Sequence, residues 1–161
     1  MTENDYHLDS MVCFAIYSAS NAVAKAHRVA LEPWGLTYTQ YIVLLETSTS
    51  GAGLSIRDLG SRMSLDSGTL SPLLRRLEQR QLVLRQRSSE DERVVTVTLT
   101  SEGRTMLKDV LTALQGLRAA YGFESAAQAR DLIHQLHRIT EGMRQLSTSP
   151  SKNSTHLEGI S

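Results

Sequence analysis

Residues 65–99 read LDSGTLSPLLRRLEQRQLVLRQRSSEDERVVTVTL, and the periodicity changes partway along. Leu70, Leu73, Leu74 and Leu77 recur at spacings of three and four, which predicts a helix with one inward face. Asp66 or Ser67 can cap it by accepting a backbone N–H. Gly68, Thr69 and Ser71 keep its first turn small and polar, and Pro72 sits early, where a missing N–H costs less than it would later. Arg75 and Arg76 leave on the solvent side. Beyond Leu82 the period falls to two: VLRQRS and VVTVTL alternate as paired, half-buried strands do. SEDER joins them as a charged tip with no apolar residue.

Towards the N-terminus, Ser55 can cap a short helix, IRDLGSRM, with Ile56, Leu59 and Met63 inward. A tight connector at Ser64-Leu65 joins it to the next helix, and such a pair is a helix-turn-helix. In that motif the second helix enters the major groove while the first braces it. The hairpin that follows makes the unit winged. Further upstream, Thr37-Tyr38-Thr39-Gln40 fits a capping box for a helix carrying Tyr41, Ile42, Leu44 and Leu45. A polar loop, Ser48 to Gly53, follows it. Leu8 to Leu31 predicts one long helix with a stripe of Leu8, Met11, Val12, Ala15, Ile16, Ala19, Val23, Ala26 and Ala30 broad enough to bury. Pro33 ends it by pushing the preceding residue out of the helical region.

Downstream, Thr100-Ser101-Glu102 starts a helix with Leu107, Val110, Leu114, Leu117 and Tyr121 on one side. After a break at 122–125, a last helix carries Leu132, Leu136, Ile139, Met143 and Leu146. This 3.5-residue repeat predicts a helix–helix seam. Packing between subunits is the expectation, because the N-terminal half has its own core to fill. The expected fold is mainly α (α+β). Residues 37–100 form a winged helix-turn-helix DNA-binding domain, 1–36 and 101–147 a helical dimerisation region, and 148–161 a polar, disordered tail.

Seventeen basic and seventeen acidic residues cancel over the 161, which argues against indiscriminate coating of nucleic acid. Eight of the fourteen arginines nevertheless fall between Arg57 and Arg93. From Arg57 to Arg87, seven face only Asp58, Asp66 and Glu78, a local basic surface of the kind phosphate contact requires. Cys13 is the single cysteine, so no intrachain disulfide forms. With no signal peptide, transmembrane run or lipidation motif, a cytoplasmic location is the default and no membrane partner is expected. His134 and His137 lie three apart without further metal ligands, so no metal is expected. No phosphate loop, Ser–His–Asp order or catalytic carboxylate pair points to an enzyme, and no cofactor is implied. A lone cysteine on an apolar helix is, by itself, more often an inert core residue.

Over roughly Leu8 to Leu146 the chain resembles the MarR family of bacterial winged-helix repressors. LDSGTLSPLLRRLEQRQLV and RSSEDERVVTVTLTSEG carry the likeness. Cys13 in CFAIYSAS, Tyr38 in LTYTQYIVLL and LDSGTLSPLLRRLE make it similar to the organic-hydroperoxide-sensing subgroup. The resemblance implies that Cys13 is the peroxide sensor, its thiol hydrogen-bonded by tyrosines of the partner subunit. Tyr38 matches one of these and Tyr17 a further pocket aromatic. His27 stands where the subgroup has its other tyrosine; imidazole can still donate or accept a hydrogen bond. Lack of a second cysteine excludes the variant in which a C-terminal cysteine resolves the oxidised sensor.

On DNA, Ser67, Gly68, Thr69 and Ser71 would meet base edges and phosphates at the helix N-terminus. Arg75 and Arg76 would read guanine or clamp phosphate. Arg93 would enter a narrowed A·T-rich minor groove, with Asp91 pairing to it or bracing the turn. A twofold homodimer would read a palindromic operator with half-sites about one helical turn apart. Met11 and Phe14 would offer an organic hydroperoxide an apolar wall. Oxidation of Cys13 to sulfenic acid, then a mixed disulfide with a low-molecular-weight thiol, would add bulk at the seam and rotate the wings out of register. Two alternatives stay open. Tyr38, Trp34 and Tyr41 could line a pocket for a phenolic or aromatic carboxylate ligand, and Cys13 could serve a thiol-dependent peroxidase.

Overall fold

The computed structural model describes residues 7–87 and 93–148. It falls into two compact units, one through Leu117 and one from Arg118 onward.

The first unit opens with a 3-10 turn, Leu8–Ser10, and then α1, Val12–Leu31. The helix expected to run unbroken from Leu8 is interrupted at Met11, which is extended. Ser10 donates both its backbone N–H (2.9 Å) and its hydroxyl (2.8 Å) to the His7 carbonyl. This local turn competes with helix continuation. At the other end a second 3-10 turn, Glu32–Trp34, leads into Gly35 at φ +57°. That left-handed corner is open to glycine without Cβ strain.

α2, Tyr38–Ser48, starts in the expected capping box. Thr37 Oγ1 accepts from the Gln40 N–H at 3.2 Å, and Gln40 Oε1 accepts from the Thr37 N–H at 2.9 Å. α3, Ile56–Met63, is capped by Ser55 and α4, Ser67–Gln79, by Asp66. Pro72 falls in the second turn of α4, and Arg75 and Arg76 are exposed as expected.

The wing strands are β2, Val83–Arg87, and β3, Val95–Leu99, paired antiparallel with Val83 opposite Leu99 and Arg87 opposite Val95. Sequence periodicity misses a third strand, β1, Leu54–Ser55, which completes the order β1-β3-β2. Two residues are too few to show alternation. The polar loop before it does carry a trace, because Gly53 lies so close to β3 that a Cβ would stand 2.7 Å from Thr98 Cγ2.

α5, Ser101–Ala113, begins with Thr100 as cap and packs against α2 and β3. Leu107, Val110 and Leu114 are buried there with Leu44, Leu70, Leu74, Leu77, Val83 and Val97. The helix expected to continue to Tyr121 breaks at Leu114, and α6, Gln115–Ala120, follows. The α5 part of the expected intersubunit seam therefore faces its own core. An apolar repeat marks an inward face without saying which surface meets it.

In the second unit Gly122 (φ +70°) turns the chain, with Tyr121 and Phe123 stacked at 6.0 Å. α7, Ala126–Thr148, leaves Leu132, Leu136, Met143 and Leu146 exposed. α1 is similarly open: of its residues only Leu31 is buried, and Val12 and Val29 are exposed. Among the described residues no helix is long and apolar enough to cross a membrane. No group of three or more metal-ligating side chains gathers among them.

Candidate DNA interface and cysteine site

The connector between α3 and α4 is tight. Ser64 adopts φ +55°, the Leu65 N–H donates to the Gly60 carbonyl at 2.9 Å, and a Cβ on Gly60 would meet Leu65 O at the same distance. α4 then begins in the open: Ser67, Gly68 and Thr69 are exposed and Ser71 is half-buried. Asp66 grips this end twice. Its Oδ1 accepts from the Thr69 N–H at 2.9 Å, and its Oδ2 accepts from Thr69 Oγ1 at 2.8 Å. The hydroxyl bond, then the N–H bond, hold the Asp66 carboxyl below the usual carboxylate range. Two consequences follow for the expected contacts. The Thr69 hydroxyl has spent its hydrogen, so towards a base it can only accept, as from cytosine or adenine amino groups. An anion at this end would meet the N–H groups of Ser67 and Gly68 beside a carboxylate, which weakens the attraction expected of a bare helix terminus.

The basic surface is smaller than the count of arginines implies. Arg62 donates to Glu46 at 2.7 Å. Arg85 meets Glu78 Oε2 through Nε at 2.9 Å and its backbone N–H meets Oε1 at 3.2 Å. These bonds to Arg85 hold the Glu78 carboxyl below its ordinary value. Arg80 donates to the carbonyls of Gly35 and Trp34 at 2.9 and 2.6 Å. The partners lie 16, 7 and 45–46 residues away, beyond any local charge pattern. Arg57, Arg75, Arg76 and Arg87 are exposed and make no such bond among the described residues. Arg57 and Arg87 were not singled out by sequence, which weighed only the run as a whole. Arg93 is exposed where the described chain resumes, and Asp91 lies outside the described residues.

Within one chain the residues expected around the cysteine fall into two groups. Cys13 is exposed in the first turn of α1, with half-buried Met11 and Phe14 beside it in sequence and Tyr17 one turn on. The Phe14 and Tyr17 rings are 6.3 Å apart. His27 sits fourteen residues beyond Cys13 on the same helix, about 21 Å along its axis at 1.5 Å per residue. There His27 meets Tyr38 edge-on at 4.7 Å, and Tyr41 stands 6.4 Å from His27 and 6.3 Å from Tyr38. The His27 Nδ1–H donates to the Val23 carbonyl at 2.9 Å. Within one chain, His27 and Tyr38 come together and Cys13 with Tyr17 stands apart from them. Tyr41, treated from sequence as an optional pocket aromatic, belongs to the His27 group.

A family model for the transcriptional regulator SarA/Rot matches residues 26–110. The organic hydroperoxide resistance transcriptional regulator of Bacillus subtilis is 34% identical over 141 residues, which is 86% of this chain and 92% of that one. The HTH-type transcriptional regulator TtmR of Methylorubrum extorquens is 50% identical over 97 residues, 60% of this chain. That match spans 49% of TtmR, about half its length. Among solved structures, overoxidized AbfR bound to DNA is similar with a TM-score of 0.72 and 27% identity, over 89% of this chain and 99% of that one. The helix-turn-helix, its three-stranded wing and these likenesses agree, and the chain belongs to the SarA/Rot, MarR-like family of winged helix-turn-helix transcriptional regulators.

Proposed function

We propose that the protein is a DNA-binding repressor of transcription, cytoplasmic and homodimeric, released from its operator when an organic hydroperoxide oxidises Cys13. The observation that carries this is the division of the cysteine site along α1. Cys13 and His27 are fourteen residues apart, which at 100° per residue sets them within about 40° of one side of the helix. A second copy packed across the open stripe of α1 can supply His27 and Tyr38 to the thiol. The exposed start of α4, with Ser67, Gly68, Thr69 and Ser71, and the solvent-facing Arg75 and Arg76 support the DNA contact. Arg93 is assigned to the minor groove; Asp91, assigned to pairing with it or bracing the turn, lies outside the described residues.

The Cys13 thiolate attacks the distal oxygen of the hydroperoxide; an S–O bond forms, the O–O bond breaks, and the alkoxide leaves and takes a proton to become the alcohol. Cysteine loses two electrons and the peroxide gains them. A low-molecular-weight thiol then attacks the sulfenic sulfur, releasing water and leaving a mixed disulfide. The added bulk, beside Tyr17, disturbs the packing between copies. This is a stoichiometric switch, which separates it from a thiol peroxidase that must turn over.

A mobility-shift titration on the chain's own promoter region, with and without cumene hydroperoxide, tests the proposal. Wild type should bind and be released, with one oxidised or thiol-adducted Cys13 by mass spectrometry. Cys13→Ser should bind and stay bound. Release of Cys13→Ser by the peroxide, or an unmodified thiol in released wild type, overturns it. One observation favours a second reading: His27, Tyr38 and Tyr41 already cluster within a single chain. Such a cluster suits a phenolic or aromatic carboxylate ligand, and release of Cys13→Ser by salicylate would favour that inducer.

A further inference from the structure

We propose that Arg80 is a positioning residue that ties the recognition helix to the turn leading into the His27–Tyr38 cluster, so that events at one end are felt at the other. The inference rests on the DNA-binding reading of α4 given above.

Arg80 follows the last residue of α4 and is its C-cap. Its guanidinium spans to the α1–α2 turn, donating from one terminal nitrogen to Gly35 O at 2.9 Å and from the other to Trp34 O at 2.6 Å. A planar fork holding two carbonyls fixes direction as well as distance, and a charged donor makes each bond stronger than a neutral one. The carbonyls belong to the end of a 3-10 turn, where the backbone carries partial negative charge.

Both anchor points are held by further hydrogen bonds. On the turn side, the Gly35 N–H donates to Glu32 O at 2.9 Å, Leu36 is buried, and Thr37 locks the start of α2 through its capping box. Tyr38 is the first residue of that helix, three positions after Gly35. On the α4 side, Gln81 adopts φ +57°, the Leu82 N–H donates to Leu77 O at 3.0 Å, and Thr100 Oγ1 donates to Gln81 O at 2.6 Å. A displacement at Tyr38 thus reaches the end of α4 through two directional bonds in addition to the apolar core that Leu36 shares with Leu74 and Leu77. Arg80 sits in the densest run of arginine in the chain, yet it is spent on the protein's own backbone.

Coupling of this kind is reciprocal, so DNA on α4 must be felt at the turn. Trp34 is the only tryptophan and its carbonyl is one of the two acceptors, which makes its emission the reporter. The full chain, with Cys13 reduced, is titrated with a fluorescein-labelled duplex from its own promoter region. Anisotropy reads binding and Trp34 emission reads the turn in the same samples. Wild type should change its Trp34 emission in step with binding. Arg80→Ala should bind with an affinity within roughly fivefold of wild type but keep less than about a third of the emission change at saturation. Arg80→Lys, which can hold one carbonyl but not both, should fall between. Arg76→Ala should bind more weakly yet show the full change once saturated. Should Arg80→Ala fail to fold by circular dichroism, Arg80→Gln decides by the same criterion. The same emission change in the Arg80 variant as in wild type, or binding by wild type with Trp34 silent, overturns the proposal. No binding by wild type instead removes the DNA-binding reading, and this inference falls with it.

Discussion

Two regions of the molecule are written in the same alphabet of leucine, valine and small polar residues, and end differently. In the winged helix, Leu70, Leu74 and Leu77 of α4 are fully buried, closed in by α3 and the wing strand β2 within one core. On α1 and α7, apolar residues stay open: Val12 is 66% exposed, Val29 62%, Met143 59% and Leu146 70%. Open apolar faces of this kind mark surfaces that meet another molecule. The closed region is a scaffold complete in one copy. Each open helix presents an apolar face of its own, and that of α1 carries Cys13.

The sharpest way to break this contrast is at the tightest point of the closed region. Gly103 lies so near the turn after α4 that a Cβ would stand 2.0 Å from Leu82 O, itself fixed by the Thr100 N–H at 3.2 Å. Gly103→Ala should cost more than the roughly 3 kcal/mol of ordinary overpacking and leave little folded protein by circular dichroism. A melting curve like that of wild type would mean the junction is looser than described. Next comes a paired comparison. Leu74→Ala should cost about 2–5 kcal/mol by urea denaturation. Val12→Ala should leave the unfolding of dilute protein nearly unchanged while weakening self-association by sedimentation. Equal losses in the two would erase the distinction between closed and open faces.

The arginines give a finer test. Arg57→Ala should weaken operator binding and lower the salt slope by about 1, as loss of one phosphate contact does. Arg62→Ala, whose partner is Glu46, should leave the slope alone. Identical slopes would dissolve the division between engaged and available arginines. The smallest effect belongs to Glu78. With its partner Arg85 it is about one-third exposed, so Glu78→Gln should cost at most about 1 kcal/mol. Its carboxyl titrates below the ordinary 4.5 in the folded chain. The contribution is therefore whole above pH 4.5 and lost as pH falls through the depressed folded value. Wild type and Glu78→Gln should converge in stability below that pH, and a gap that persists there would rule out the ion pair as its source.

What could be read from the sequence was whatever the chain decides within a turn or two. The caps at Thr37 and Ser55, the Asp66 that is one of two candidates at the start of α4, the helix start at Thr100 and the period-two strands are all of that kind. What could not be read depends on distant partners. β1 exists only because β3 lies beside it. Arg62 and Arg80 look like free cations until the fold brings Glu46 and the Trp34–Gly35 carbonyls to them. The apolar spacing of α5 and α7 is alike, yet Leu107 and Val110 are covered while Leu132 and Leu136 are not. At the candidate sites, the resemblance implies that Tyr38 and His27 reach Cys13 from the partner subunit; in one folded chain His27 lies with Tyr38, while Cys13 and Tyr17 lie one turn apart near the start of α1.

Ser55 closes the short strand beside the wing and is at once the residue that caps α3. Between the sheet and the helix-turn-helix there is no slack peptide to absorb a tilt. If the hairpin bends when it grips a groove, the start of α3 must swing with it, carrying Arg57 along. Wing and helices then approach the duplex as one rigid casting, so a spacer residue inserted after Ser55 should blunt recognition although it alters no contacting side chain.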